Sequence, residues 1–185
     1  MPRLTLRRQL LARREAFASS PDAAAADAAL ANKLATVLRE LEPDVLGLYW
    51  ALGSEFNAAR SLAPELDAMK WPLALPFTRR SPREMHYRAW DGQSPTLLDE
   101  CGIGSCAGAV VVPDVLLVPC VGFTADGFRL GYGGGYFDRW LALHPGVTTI
   151  GVAWSCAQLD PDAFEPQPHD QALTVIVTEC GVVAA

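Results

Sequence analysis

The chain has 185 residues, of which 50% are hydrophobic and 19% charged, which suits one globular domain with a real core and excludes a disordered segment. A formal charge of -6 with no long basic run argues against a nucleic-acid partner. The 5 cysteines are scattered without a CxxC pair, which gives no zinc spacing and fits a reducing compartment, and no run reaches the ~20 apolar residues of a membrane span. The expectation is a single cytoplasmic domain over residues 1–185, with no membrane contact.

Residues 3–18 read as a helix: Leu6, Leu10 and Phe17 share one stripe, and Arg3, Arg7 and Arg14 share a neighbouring one. Ser19, Ser20 and Pro21 break it and open a second, alanine-rich helix ending near Leu41, with Asp22 in its first turn and Arg39 in its last, as the helix dipole favours. VLGLYW (45–50) reads as a buried strand, and the residues after it as a loop leading into a helix. WPLALP (71–76) and EMHYRAW (84–90) read as strands, the second alternating as an edge strand does. Residues 91–113 read as loop, and VLLVPCVGF (115–123) is the strongest buried strand. A helix follows at about 135–143, then strands at 147–154 and 173–178 on either side of a loop rich in Pro and Asp. Strands alternating with helices predict an α/β domain with a largely parallel sheet.

RLGYGGGYFDRW (129–140) follows a strand and opens a helix, where open α/β sheets bind ligands. Glycines leave backbone N–H groups accessible, and the helix start adds partial positive charge, so the stretch suits an anion, and phosphate above all. It is not a P-loop, because no Gly-Lys pair occurs anywhere, and the dinucleotide fingerprint fails because Tyr136 stands where its third glycine belongs. A tight corner without a ligand is the plain structural alternative. Alanine at Gly133 or Gly135 is expected to reduce ligand affinity more than stability.

FTADGFRLGYGGGYFDRW resembles the signature of the 5-formyltetrahydrofolate cyclo-ligase family, and LRRQLLARREAF, YWALGSEFN, Pro119 after the main strand and PHDQALTVIVTE extend the likeness along nearly the whole chain. The resemblance implies a three-layer α/β/α sandwich acting, as a monomer, on 5-formyltetrahydrofolate and ATP with Mg²⁺. It implies that the formyl oxygen is phosphorylated and that ring closure then expels phosphate. ATP would be held by Arg3 and Arg7 of the first helix and by Arg129, Leu130, Gly131, Tyr132, Gly133, Gly134, Gly135, Tyr136 and Phe137. Arg129 and Tyr136 would act on the reacting groups, the one on phosphate charge and the other on the formyl group. Trp50, Glu55, Tyr132 and Tyr136 would meet the folate, with the Glu55 carboxylate accepting N–H groups of the pterin. Asp138 and Asp170 match the acidic metal positions; a carboxylate so close to phosphate is repelled unless a cation bridges the two.

Each assignment has a structural alternative. Asp138 suits a helix start by itself, Asp170 a solvated loop, Arg3 and Arg7 a solvated face, and Ser54 with Glu55 a helix cap. Arg8, Arg13 and Arg14 read as solvated, and His144 as a residue satisfying carbonyls at a helix end. The chain departs from the family's pattern at Arg3, usually lysine, and at Thr174, commonly an acid. Two other functions compete with the cyclo-ligase reading. One is a folate- and nucleotide-binding protein without turnover; the other is a sugar-phosphate isomerase, for which no acid/base pair is identifiable.

Overall fold

The computed structural model describes residues 2–184. The chain begins with α1 (Arg3–Ala18) and α2 (Ala23–Leu41), then β1 (Leu46–Gly47), α3 (Ala58–Ser61) and α4 (Ala63–Met69). A hairpin of β2 (Leu73–Arg79) and β3 (Glu84–Trp90) follows, then three short strands, β4 (Leu97–Leu98), β5 (Gly104–Ser105) and β6 (Val110–Val111). Next come β7 (Val115–Pro119), β8 (Gly122–Phe123), β9 (Arg129–Leu130), α5 (Tyr136–Leu143) and β10 (Thr148–Val152). After 3-10 turns at Ser155–Ala157 and Pro161–Ala163, β11 (Val175–Val177) and β12 (Val182–Ala184) end the chain's regular structure.

Eight strands form one sheet in the order β12-β11-β10-β7-β1-β2-β3-β6. The inner strands from β11 to β2 run parallel, while β12, β3 and β6 join antiparallel. Alternation along β7 explains why the sheet needs cover on both sides. Val115 and Leu117 point into a cluster with Leu30, Leu34 and Leu38 of α2, whereas Leu116 and Val118 point into one with Trp140 and Leu141 of α5. These are the three expected layers. A third cluster packs Leu6 and Leu10 of α1 against Val121, Leu130, Leu159 and Phe164, and so lays α1 over the β8–β9 hairpin.

The differences from the sequence reading have local causes. Residues 84–90 form a strand, but not an edge strand, because β6 pairs with β3 on its far side. Its alternation reports instead that Met85 and Tyr87 are buried while the intervening side chains face outward. The run 115–123 splits at Pro119: Cys120 still donates to Val152 O, and the chain then leaves for the β8–β9 hairpin. In β1 only Leu46 and Gly47 are strand, although Leu48 N continues the pairing to Ala74 O. The strands β4, β5 and β6 have two residues each, too few to show a period. Thr174 exchanges hydrogen bonds with Thr149 at the entry to β11, so this departure from the family pattern serves the sheet.

Gly108 tests the register of the β6 edge, since a Cβ there would lie 1.9 Å from the Ala89 carbonyl oxygen, a backbone atom with nowhere to go. Gly108→Ala is expected to destabilise the protein by about 1–3 kcal/mol in urea titration. Gly146→Ala, whose Cβ would meet nothing within 4 Å, should stay within about 0.5 kcal/mol of wild type. Equal effects at the two positions would contradict this packing.

Candidate functional site

Parallel strands end together, and the loops leaving their carboxyl ends enclose a cavity of about 450 Å³. Pro76 and Thr78 of β2 and Pro119 of β7 form its inner surface. Tyr49, Trp50, Leu52 and Glu55 enter from the segment after β1, Arg3 and Arg7 from α1, and residues 129–138 from β9 and the start of α5. Gln167, His169 and Asp170 close another side. Every residue that the sequence marked as a site residue lines this one cavity.

The glycine stretch forms the turn from β9 into α5. Gly135, the N-cap of α5, has φ 64°, and Gly133 has φ 98°, both in the left-handed region. That corrects the expectation for these two glycines: alanine there strains the backbone whether or not a ligand approaches. Gly131 differs, for its added Cβ would meet nothing within 4 Å and its φ lies outside the left-handed region. Among the described residues, no protein acceptor takes the amides of Tyr132, Gly133, Gly134 and Gly135. Arg7 crosses the loop, with Nε donating to Gly131 O at 2.7 Å and its guanidinium beside Gly133. Leu130 contributes through its main chain alone, because its side chain belongs to the core cluster under α1.

Beneath the loop, Arg129 is buried and its Nη1 lies 2.9 Å from Asp138 Oδ1 in the first turn of α5. Arg3 grips Asp170 through two nitrogens, at 2.5 and 3.2 Å, and also donates to Glu165 O. Burial, the largest single influence on Asp170, pushes its carboxyl up. The hydrogen bond and charge of Arg3 and the amide of Gln167 together outweigh that, leaving it below the usual value. The loop 167–171 links the two acids: Gln167 N donates to Asp170, and Gln171 N to Asp138. Two oriented carboxylates beside a phosphate-sized cradle suit Mg²⁺, which takes one or two carboxylates and completes its shell with phosphate oxygens and water. Among the described residues there is no cluster of three or more metal-ligating side chains.

Glu55 adds a carboxylate to the cavity lining, reached by the Tyr132 hydroxyl of the glycine loop. Glu55 is almost fully enclosed; its Oε2 accepts Leu52 N at 2.7 Å and its Oε1 accepts the Tyr132 hydroxyl at 2.8 Å. Burial pushes its carboxyl above the usual value, against the pull of the Leu52 amide, the Tyr132 hydroxyl and Arg14. Helix capping is not its role, since Asn57 caps α3. Trp50 stands nearby, edge-on to Trp90 at 6.3 Å between ring centres.

Arg14 contradicts the expectation of a solvated side chain. It is buried, with Nε on Ser54 Oγ at 3.2 Å, Nη2 on the Tyr132 hydroxyl at 2.7 Å and Nη1 3.5 Å from Glu55. The signal was its place on the stripe of Arg3 and Arg7, which all face the sheet edge. Arg8 and Arg13 are exposed, as expected. His144 Nδ1 donates to Trp140 O, 2.7 Å away, also as expected at a helix end.

Sequence reasoning missed the wall contributed by residues 99–103. Asp99 is buried, bonds Thr78 and accepts the amides of Cys101 and Ile103, which holds that turn against β2. Cys101 Sγ thereby comes 3.2 Å from the Tyr136 hydroxyl, which also reaches Arg79 O at 3.1 Å. The hydrogen bond with Cys101, then burial, raises the Tyr136 phenol above its ordinary value. Nothing in the spacing of residues 91–113 announces this contact.

A model of the 5-formyltetrahydrofolate cyclo-ligase family matches residues 2–179. A 5-formyltetrahydrofolate cyclo-ligase of Mycoplasma pneumoniae is 40% identical over 67 residues, which span 36% of this chain and 39% of that protein. The solved 5,10-methenyltetrahydrofolate synthetase from Mycoplasma pneumoniae superposes with a TM-score of 0.79 at 24% identity, covering 97% of this chain and 99% of that one, a likeness of fold. The NMR structure of the Aquifex aeolicus 5,10-methenyltetrahydrofolate synthetase gives a TM-score of 0.75 at 26% identity, covering 100% of this chain and 93% of that one. With a family match that runs almost end to end and a shared fold, the chain belongs to the 5-formyltetrahydrofolate cyclo-ligase family.

Proposed function

We propose that the protein closes 5-formyltetrahydrofolate to 5,10-methenyltetrahydrofolate at the expense of ATP, releasing ADP and phosphate. The observation that carries this reading is one cavity lined by loop amides without protein acceptors, by arginines and by the enclosed Glu55 carboxylate. The amides and arginines suit a polyphosphate and the carboxylate the donor edge of a pterin. Every group invoked comes from one chain, so the reaction needs no second copy. We place it in the cytoplasm; among the described residues no helix is long and apolar enough to cross a membrane.

The chemistry asks for both at once. A formyl group on nitrogen is amide-like and a poor electrophile. Its oxygen attacks the γ-phosphate of ATP, ADP leaves, and the C–O bond becomes one that can break. N10 then adds to the carbon and loses its proton, and phosphate leaves with the former formyl oxygen. Phosphoryl transfer demands in-line positioning and charge neutralisation from the protein. Residues 131–135 supply N–H donors, Arg129, Arg7 and Arg3 supply positive charge, and Glu55 fixes the pterin so that the formyl oxygen points at the loop. The Tyr136 hydroxyl, at the turn facing Cys101, orients the formyl group. Asp138 and Asp170 would hold Mg²⁺, which when bound would supply further charge neutralisation.

Purified protein with 5-formyltetrahydrofolate, ATP and Mg²⁺ should develop the near-UV absorption of the methenyl product, with one ADP formed per folate. Binding of both ligands without turnover would favour the non-catalytic alternative, and ADP formation without folate would remove both readings. Glu55→Gln should weaken folate binding by ~1.5–3 kcal/mol with ATP affinity retained, as calorimetric titration would show. The reverse pattern would mean the two binding roles are assigned backwards.

Asp138→Asn should keep the fold and lose ~10²-fold or more in kcat, with a higher Mg²⁺ requirement. Undiminished turnover at ordinary Mg²⁺ would remove Asp138 from the metal site. Gly131→Ala separates cradle from turn, since the free loop has room for its Cβ. Its melting temperature without ligand should match wild type while ATP affinity falls about tenfold or more, roughly 1.4 kcal/mol. Gly133→Ala and Gly135→Ala should instead lose ~1–2 kcal/mol of stability before any ligand is added. Wild-type ATP affinity in Gly131→Ala would move the phosphates off this loop.

A further inference from the structure

We propose that Arg14 is a positioning residue for the folate-binding part of the cavity: its guanidinium holds the Glu55 carboxylate in place and pins Tyr132 across the mouth. The proposal rests on the reading of Glu55 as the pterin acceptor.

The geometry is that of a built relay and not of a surface ion pair. Only 5% of the Arg14 side chain and 4% of Glu55 are exposed, so neither charge is solvated. A buried charge persists only where partners replace water. Arg14 finds Ser54 Oγ through Nε and the Tyr132 hydroxyl through Nη2. That hydroxyl accepts from Arg14 and donates to Glu55 Oε1, so one phenol joins cation to anion. Nη1 is left without a hydrogen-bond partner, 3.5 Å from Glu55, which gives the carboxylate a donor to follow as it turns toward a ligand. Tyr132 itself is 47% exposed, which makes its ring a wall of the cavity mouth held only from its inner end.

The groups facing Glu55 come from four elements. Arg14 projects from α1, Tyr132 from the glycine turn, Tyr49 from the end of β1 and Cys120 from the end of β7. Arg14 is the cation among them. Burial has already moved Glu55 toward protonation, and the Tyr132 phenol is pushed up to about 12 by burial and by Glu55. Removing Arg14 therefore raises the Glu55 value further. At a given pH less carboxylate is ionised, so folate binding weakens as pH falls and its acid limb moves to higher pH.

Two measurements on the full chain test this. In the ligand-free protein, a carboxyl ¹³C NMR titration, with the Glu55 signal identified by its loss in Glu55→Gln, gives the midpoint directly. Arg14→Gln should raise that midpoint by about one pH unit or more, and Arg14→Lys should restore part of the shift. In turnover, Arg14→Gln should raise the KM for folate, more at pH 6 than at pH 8, while the KM for ATP changes less than threefold. Tyr132→Phe should raise the folate KM with a smaller shift of the midpoint. If Arg14→Gln does not fold, Arg14→Lys keeps a charge without the planar fork and still reads the KM split. An unmoved Glu55 midpoint, or a loss of kcat equal at every pH, would overturn the proposal and leave the cyclo-ligase reading standing. A wild-type protein without turnover would sink that reading instead, while the ligand-free titration still decides the role of Arg14.

Discussion

The docking of α1 against the carboxyl edge of the sheet is the constraint on which the site depends. One face of the helix buries Leu6 and Leu10 against the β8–β9 hairpin and the turns after β10. The neighbouring face carries Arg3, Arg7 and Arg14, which span about 16 Å along the axis at helical rise. Fixing the apolar stripe thus fixes three guanidiniums, one at each of three places: Asp170, the carbonyl of Gly131, and the Glu55–Tyr132 pair. A helix rotated by one residue would lose the leucine packing and all three of these contacts together. Arg13, on the outer side, ties the same helix to Cys156 O after β10.

This arrangement puts a concentration of positive charge into a chain whose formal charge is -6. Arg129 and Arg14 are buried outright. Charge of one sign in a partly desolvated cavity is unfavourable unless it is matched, and each arginine except Arg7 holds a carboxylate. Arg7 holds a backbone carbonyl. The matching is uneven. Asp138 and Asp170 neutralise Arg129 and Arg3 beside the glycine loop. The Arg14–Glu55 pair is instead joined by the Tyr132 hydroxyl, which accepts from the one and donates to the other.

Much of this was legible from residue order. Long elements with clear periods, α1, α2, β3 and α5, lie where the pattern put them, and the strand-turn-helix setting of the glycine stretch marked the cavity. Boundaries were lost where tertiary contacts override local pattern. Pro119 ends β7 inside an unbroken apolar run, and β4 to β6 are too short to carry any period. Within the site, the lining of the cavity was readable from motif position, whereas contacts set by two distant segments were not. Arg14 shares a stripe with Arg3 and Arg7, yet its burial is set by the segment 52–55 and by Tyr132, distant in sequence. Cys101 reaches Tyr136 only because Asp99 folds its turn onto Thr78.

The four glycines between positions 131 and 135 show how one composition meets several different demands. Gly133 and Gly135 answer the backbone, since the chain must enter the left-handed region twice to reverse from β9 into α5. Gly134 answers packing: a Cβ there would lie 2.8 Å from the Tyr136 ring, which needs that approach to carry its hydroxyl toward Cys101 and Arg79. Gly131 answers neither, for its backbone is ordinary and the space around it is empty. Gly131 is where Arg7 braces the loop whose next four amides, among the described residues, have no protein acceptor. Of the four, it is therefore the glycine that speaks most directly for a ligand against the backbone.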